Sequence, residues 1–550
     1  MFYDSLLFQN HPMRSSDLRS VAWPKSVLLL ASGFWLVTFL IQIWRLESLS
    51  ASFDQALFLQ ELWSTAQGRP FESSLSSVLS GPVQVGGLLP WVNYLHLGQH
   101  ANFLTLAVSP LVAVLGGWAL PLVQVSALSV AGLLLWRIAS HRLPPELAFR
   151  LTLAYFLSGA VIGPVLENFH DLIWLPLLGF LVVEGLLERR IWQVLIAASL
   201  LLLVREDSGL LLFSLGFWAL VRRSDMRWFG LGLMVAAFGW VLLVTGWIQP
   251  AVDSSLNDRF LTEKFGHLVD DISGGTLSVL LTLLSRPFAV LLALVTPPVA
   301  TLGFLLALSL PLLFIPLISV DSALLVSGPL LVALVSQGQN ALAINLRYVM
   351  ALVPGLYLGS ILWWESHPKA WERRPLRSIW IGALSLSLVL TIIGNPHRSL
   401  SVIIPDSFVP LAYVTPQTML ERRETAKLAV AKIPDKASVA ADTPLLPLLA
   451  QREELIRFPN SVRFKDRMGL EKSVEYIVTF PGYYSPLAPV FKSEQRQQIK
   501  IREKVRELIA NDDYQLIYCQ GGALVLRRES SKVQSLNVTS DNSIACDALD

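Results

Sequence analysis

The feature that most constrains this chain is a succession of apolar blocks, each near the length of a membrane span. They lie at roughly 27–44, 102–116, 118–138, 147–165, 172–187, 191–204, 208–221, 228–248, 276–296, 299–318, 322–336, 346–364 and 377–394. Crossing the hydrocarbon layer takes about 20 apolar residues as a helix. Backbone polar groups in lipid must find partners inside the protein, so only helices and closed barrels can span it. These blocks lack the strict alternation of barrel strands and therefore call for helices. Composition agrees: 53% of the 550 residues are hydrophobic, 15% are charged, and the mean hydropathy is +0.54. A soluble domain carries about 25% charged residues. A net charge of +2 gives no electrostatic case for nucleic acid. The two cysteines, Cys519 and Cys546, have no metal-ligand spacing and leave a disulfide between them open.

Basic residues choose the sides of the membrane. The N-terminal segment with Arg14, Arg19 and Lys25, the stretch Arg137 to Arg150, the pair Arg189–Arg190, Arg222 to Arg227, and Lys369 to Arg377 all read as cytoplasmic. No small-residue cleavage site follows the first block, which reads as an uncleaved anchor. For the sides to alternate, the short block 102–116, followed by Gly116-Gly117, must be re-entrant or interfacial. One of the four blocks between 276 and 364 must also fail to cross. About eleven crossings remain, with the N-terminus inside and the C-terminus outside. The expected fold is therefore mainly α, a polytopic transmembrane helical bundle with a small C-terminal extracytoplasmic α/β domain. Its parts are a cytoplasmic segment 1–26, a transmembrane domain 27–394 with a first outer loop 45–101, an outer domain 395–529, and a disordered tail 530–550.

The outer domain shows its elements by pattern. A helix is predicted over Pro416 to Lys432, strands in "ASVAAD", "ELIRF" and "EYIVTF", and a charged helix in "SEQRQQIKIREKVRELIAND". A hairpin "YQLIYCQGGALVLRRE" turns at Gly521-Gly522. The sequon at Asn537 lies in a Ser/Asn-rich tail, where such a match is incidental.

Ionisable residues at membrane depth are costly, so each is a functional candidate. In "LLLVREDSGLLLF", Arg205, Glu206 and Asp207 interrupt two apolar runs too short to span separately. Asp207 or Ser208 could cap the next helix, and its N-terminal amides with Arg205 would form an anion site. The alternative is a satisfied internal ion pair. In "GPVLENFHDLIW", Glu167, His170 and Asp171 would share a face if the helix continued, for metal binding or proton transfer. Otherwise they mark a helix boundary, since Pro164 precedes them. In "WVNYLHLGQHANF", His96 and His100 are four apart and read either as a weak metal pair or as interfacial histidines. Arg347 and Tyr348 open a span on the outer side, Tyr348 as an interface anchor and Arg347 facing an anionic headgroup. In "SFDQALFLQELWSTAQGRPF", Asp54 and Glu61 lie two helical turns apart on nearly one face. By composition this is an amphipathic helix along the outer surface with solvated charges.

Six stretches together carry a resemblance: "FDQALFLQELWSTAQGRPF", "HANFLTLAVSPL", "FHDLIWLPLL", "LLVREDSGLLL", "INLRYVMALVPGLY" and "ASVAADTPLLPLLAQREELIRFPN". The chain resembles a bacterial and archaeal family of polytopic membrane proteins of unassigned function, domain of unknown function 2079. That family in turn resembles the GT-C glycosyltransferases of the protein mannosyltransferase and aminoarabinose transferase types. The resemblance implies a GT-C-like fold, a polyprenyl-phosphate-linked sugar as donor, and transfer on the extracytoplasmic side of the plasma membrane. It implies Asp54 as the catalytic acid of the first outer loop. Arg205 and Arg347 would contact the donor phosphate. Glu61, His100, Glu167, His170, Asp171, Glu206, Asp207 and Tyr348 are accessory candidates. A divalent cation, Mg or Mn, is left open, because Gln55 stands where many such enzymes carry a second acid. Intramembrane charges also suit a lipid or solute transporter, and a non-catalytic receptor or scaffold is the third class.

Overall fold

In the computed structural model the described residues are 23–269, 275–338 and 340–529, with the side chains of 255–260 excepted. Arg14 and Arg19, the Asn537 sequon, Cys546 and the tail 530–550 lie outside them.

Helix α1, Lys25–Glu47, buries Val27, Ala31 and Phe34 and exposes Leu28, Leu29, Leu36, Val37 and Leu40. A helix with one apolar face packed and another apolar face bare is what a lipid-facing span requires. Helices follow at Ala119–Ser140, Trp174–Leu187, Ile191–Leu202, Ser208–Arg222, Arg227–Leu243, Val320–Val335 and Val353–Ser366, and they pack into one bundle. Small residues let backbones approach. A Cβ on Gly216 would lie 2.7 Å from the Gly230 carbonyl oxygen, and the converse holds for Gly230. The helices Ser208–Arg222 and Arg227–Leu243 therefore close on each other through glycine, as membrane helices commonly do.

Among the described residues, four helices are long and apolar enough to cross a membrane: Lys25–Glu47, Phe103–Ser140, Arg227–Val252 and Arg374–Ile393. Six result if each of two bent pairs counts as one span, Pro145–Leu157 with Gly159–Leu166 at 41° and Gly275–Ser285 with Pro287–Ala293 at 96°. Shorter apolar helices make up the rest. The full-length helices are fewer than the eleven or so crossings expected because other spans are broken, at Ser158 and Arg286 in the bent pairs and at 203–207 between Ile191–Leu202 and Ser208–Arg222. Irregular backbone at membrane depth persists only where protein or a cavity covers it. The block 102–116 folds as a 3-10 turn, Phe103–Val108, and a short helix, Ser109–Leu115, that packs against Phe53–Ala66. It leads into Ala119–Ser140 as one 38-residue helical run, interrupted at Gly116, whose φ is +56°.

Contacts gather the basic loops at one end. Arg142 reaches Glu188 and Glu365, Arg150 donates to the Arg377 carbonyl, Arg189 pairs with Asp225, and Arg222 pairs with Asp321. The loops expected to share the cytoplasm are therefore neighbours. The clusters around Asp54 and Arg205 lie at the opposite end of the bundle.

There the chain builds its second layer. Helix α2, Phe53–Ala66, lies between the membrane bundle and a mixed sheet of order β4-β3-β7-β9-β8. Strand β3 is Val439–Ala441, β4 is Leu455–Arg457, β7 is Tyr476–Thr479, β8 is Tyr514–Gln520 and β9 is Ala523–Arg528. β3 pairs in parallel with β4 and β7, and β9 runs antiparallel to β7 and β8. Two small hairpins flank the sheet, β1–β2 at Ser407–Phe408 and Leu411–Ala412, and β5–β6 at Arg463–Lys465 and Glu471–Ser473. Helices Pro416–Val430 and Lys492–Ala510 complete this layer. Phe53, Leu57, Phe58 and Leu62 of α2 share a core with Val439, Leu446, Ile456, Phe458 and Phe480. The amphipathic-surface reading of α2 fails for this reason: both of its broad faces are covered.

Candidate functional site

Asp54 sits in the first turn of α2, 36% exposed at its side chain, and forms an ion pair with Arg347. Arg347 also reaches Glu167: its Nε donates to Oε1 at 2.8 Å and its backbone N–H donates to Oε2 at 2.7 Å. Glu167 is buried, and its backbone is extended just after the helix Gly159–Leu166 ends. Gly163 allows this meeting, because a Cβ there would lie 2.4 Å from Asn345 Cα. Asn168 fixes the entry to α2 by accepting from the Ser52 backbone N–H at 3.1 Å. Gln55, next to Asp54, accepts from the Phe169 backbone N–H at 2.9 Å. Arg347 thus ties the first outer loop to the broken span and to its own segment.

Arg205 heads a second cluster. It makes two bonds to Asp207, Nε to Oδ1 at 2.8 Å and Nη2 to Oδ2 at 2.5 Å. Asp171 lies 3.6 Å away and Glu206 4.0 Å. Glu206 pairs with His100 Nδ1 at 2.9 Å and accepts from the Ala101 N–H at 3.0 Å. The Tyr348 ring lies 5.9 Å from the guanidinium carbon. Arg347 and Tyr348 are consecutive, so one dipeptide joins the two clusters.

Beside Arg205 opens a cavity of about 300 Å³. Leu172, Leu175, Leu210, Pro329, Val332 and Ala333 form its apolar wall, and Arg205, Asp207, Glu263, Lys264 and Tyr348 its polar end. Ser336, Gln337 and Asn340 add polar lining, so the cavity offers both apolar and polar surface, as an amphiphile requires.

Glu61 lies one side further in. It is fully buried, and Asn102 Nδ2 donates to its Oε2 at 3.1 Å. Burial pushes its carboxyl up to about 8, with the neighbouring negative charge of Asp171 adding to the effect. Among the described residues, Glu61 Oε1, Asn102 Oδ1, Asp171 Oδ2 and Ser208 Oγ have no hydrogen-bond partner. Buried polar atoms left over in this way mark a place for water or a polar ligand.

Several sequence readings change. Glu167, His170 and Asp171 do not share a helical face: His170 is extended, with φ −150° and ψ 153°, and Asp171 starts a short 3-10 turn. His170 is buried, its Nε2 3.2 Å from the Pro164 carbonyl oxygen, so it is not wetted at an interface. Neither Asp207 nor Ser208 caps the helix Ser208–Arg222, because the Asp207 carboxylate is taken by Arg205. Arg205 does not present an open anion site; carboxylates already surround it. Arg347 is held by Asp54 and Glu167. His96 is buried with Nδ1 2.9 Å from Ser76 Oγ, and burial holds its imidazole well below the ordinary range. Among the described residues, no three His, Cys, Asp or Glu side chains converge for a metal. With Gln55 committed to Phe169 and Asp54 to Arg347, the residues present do not fit a divalent cation.

Sequence reasoning missed Asn102, Asn168, Glu263 and Lys264. The last two sit in a charged stretch between apolar blocks 228–248 and 276–296. Charge placed between spans on the outer side was the available signal.

The chain belongs to the family described as Predicted membrane protein (DUF2079), whose model matches residues 45–525. No curated protein matches it. Among solved structures, ArnT from Cupriavidus metallidurans bound to undecaprenyl phosphate is similar at 10% identity, with a TM-score of 0.46. The match covers 92% of this chain and 99% of that one.

Proposed function

We propose that this protein is a plasma-membrane glycosyltransferase of the GT-C type, moving a sugar from a polyprenyl-phosphate carrier to an acceptor hydroxyl on the extracytoplasmic side. The observation that carries the reading is the shared dipeptide. Arg347 holds Asp54, the acid open to solvent, while Tyr348 lines the amphipathic cavity beside Arg205. An acid facing water and a lipid-shaped slot thus meet at one end of the bundle. A transport path would need to reach the other end.

In this reading Asp54 takes the proton of the acceptor hydroxyl. The hydroxyl oxygen forms the new bond to the anomeric carbon, and the bond to the carrier phosphate breaks. The lipid phosphate leaves with the electron pair. Arg205 and Lys264, at the polar end of the cavity, would stabilise the charge that develops there. Arg205 would have to exchange Asp207 for that phosphate, so donor binding is coupled to opening the ion pair. Arg347 orients Asp54. The convergence of basic loops at the opposite end supports placing that end in the cytoplasm.

The test compares membranes with wild-type protein, with Asp54→Asn, and without the protein, reading polyprenyl-linked sugars and envelope glycans. Asp54→Asn should match the deletion, with one lipid-linked sugar accumulating at normal protein levels. Wild-type product from Asp54→Asn would sink the assignment.

A further inference from the structure

The hairpin β1–β2 is out of keeping with the layer it belongs to. Its tip exposes Phe408 at 66%, Val409 at 91% and Leu411 at 70%, and Ile403 just before it is equally bare. From residue 399 to residue 420 the only charged side chain is Asp406. That carboxylate is consumed internally, accepting from Ser401 Oγ at 2.5 Å and lying 3.7 Å from Arg398. The two long helices of the same layer, Pro416–Val430 and Lys492–Ala510, carry charge along their exposed sides. An isolated hairpin with two residues per strand and an apolar tip is not stable in water.

Position identifies what covers it. The last full-length span, Arg374–Ile393, ends with Val389, Leu390, Ile392 and Ile393 exposed as lipid-facing residues. The chain is then pinned at the rim of the bundle. His397 Nε2 lies 2.7 Å from the Asn345 carbonyl oxygen, and Ser399 Oγ donates to the Leu166 carbonyl at the end of a bent span. Tyr413 Oη donates to the Val402 carbonyl and ties the second strand to the segment that leaves that rim. The apolar tip at Val409 thus follows the rim contact at Ser399 by only ten residues.

We infer that the β1–β2 tip inserts into the interfacial layer of the bilayer and anchors the outer layer to the membrane beside the last span. Tyr413 at its base suits the headgroup level, where tyrosine collects. Insertion of a short apolar tip fixes the tilt of a domain without adding a span. This holds whatever reaction the site performs.

The test is spin-label accessibility in the full-length protein in phosphatidylcholine–phosphatidylglycerol nanodiscs. A label at Val409→Cys should collide severalfold more often with oxygen, which partitions into lipid, than with a water-soluble nickel chelate. The same label at Lys500→Cys, on the exposed side of Lys492–Ala510, should show the reverse. Preferential access of the nickel chelate at position 409 would overturn the proposal. So would exclusion of both reagents there, which would mean that a second copy or a protein partner covers the tip.

Discussion

Two buried arginines hold together the end of the bundle that meets the sheet, and they differ in how much acid surrounds them and how much water reaches it. Arg205, 5% exposed at its side chain, faces Asp207, Asp171 and Glu206. Arg347 faces two acids, one buried and one, Asp54, open to solvent. Removing one partner from a buried ion pair strands the other, while removing one from an exposed pair costs little. The Arg205 cluster should therefore behave as architecture with a ligand-responsive bond. The Asp54 end of the Arg347 cluster should behave as chemistry laid on top.

The largest effect expected is from Arg205→Ala, which leaves three acids with no central cation and should cost about 3–5 kcal/mol. Thermal unfolding in nanodiscs measures it, and Arg205→Lys should recover part of the loss. An unchanged midpoint for Arg205→Ala would erase the distinction between the clusters. This also means that Arg205→Ala cannot by itself test catalysis.

The acid excess on the Arg205 side extends to Glu61, whose carboxyl is raised from 4.5 to about 8. Unfolding frees this group to ionise above its ordinary value. Its contribution is fully present below about pH 4.5, falls as pH rises and levels off above about 8. The slope is at most about 1.4 kcal/mol per pH unit. Glu61→Gln should remove that slope, making the variant more stable than wild type at pH 8 when both are followed by thermal melts across this window. Parallel melts for the two proteins would refute it.

Glu167→Gln weakens a buried charge-assisted contact to Arg347 and should cost about 1.5–3 kcal/mol, read by the same melts. Asp54→Asn should cost less than Glu167→Gln, because Arg347 keeps its buried contact to Glu167, while abolishing transfer. A loss of stability for Asp54→Asn as large as that for Glu167→Gln would make Asp54 a structural partner and remove the contrast.

The sequence made the membrane class legible because length and hydropathy leave few options. The strands of the outer layer were legible because β3, β4 and β7 carry short runs flanked by turn residues. Asp54 and Arg205 stood out because a charge in apolar surroundings is rare. Their partners did not. Arg347 lies 293 residues from Asp54, and nothing local in "INLRYVM" says that it will find a carboxylate. Glu167, His170 and Asp171 have helical spacing, but Pro164 ahead of them pointed to a helix boundary, and that is what forms. The chain leaves the helix after Leu166, where the Glu167 backbone is needed by Gln42 and Gln124. α2 looked like a surface helix because the sheet that covers it is encoded at the other end of the sequence.

That separation has a cost in time. Gln60 of α2 donates to the Arg452 carbonyl, 392 residues later. At synthesis rates of about 5–20 residues per second, α2 waits roughly 20–80 s for its cover. During that interval Phe58, Leu62 and Glu61 have no sheet above them. A nascent chain caught there is inserted but siteless, and exposes an apolar helix to the envelope. Truncations before Arg452 should therefore leave α2 without this cover and more open to protease than in the full chain.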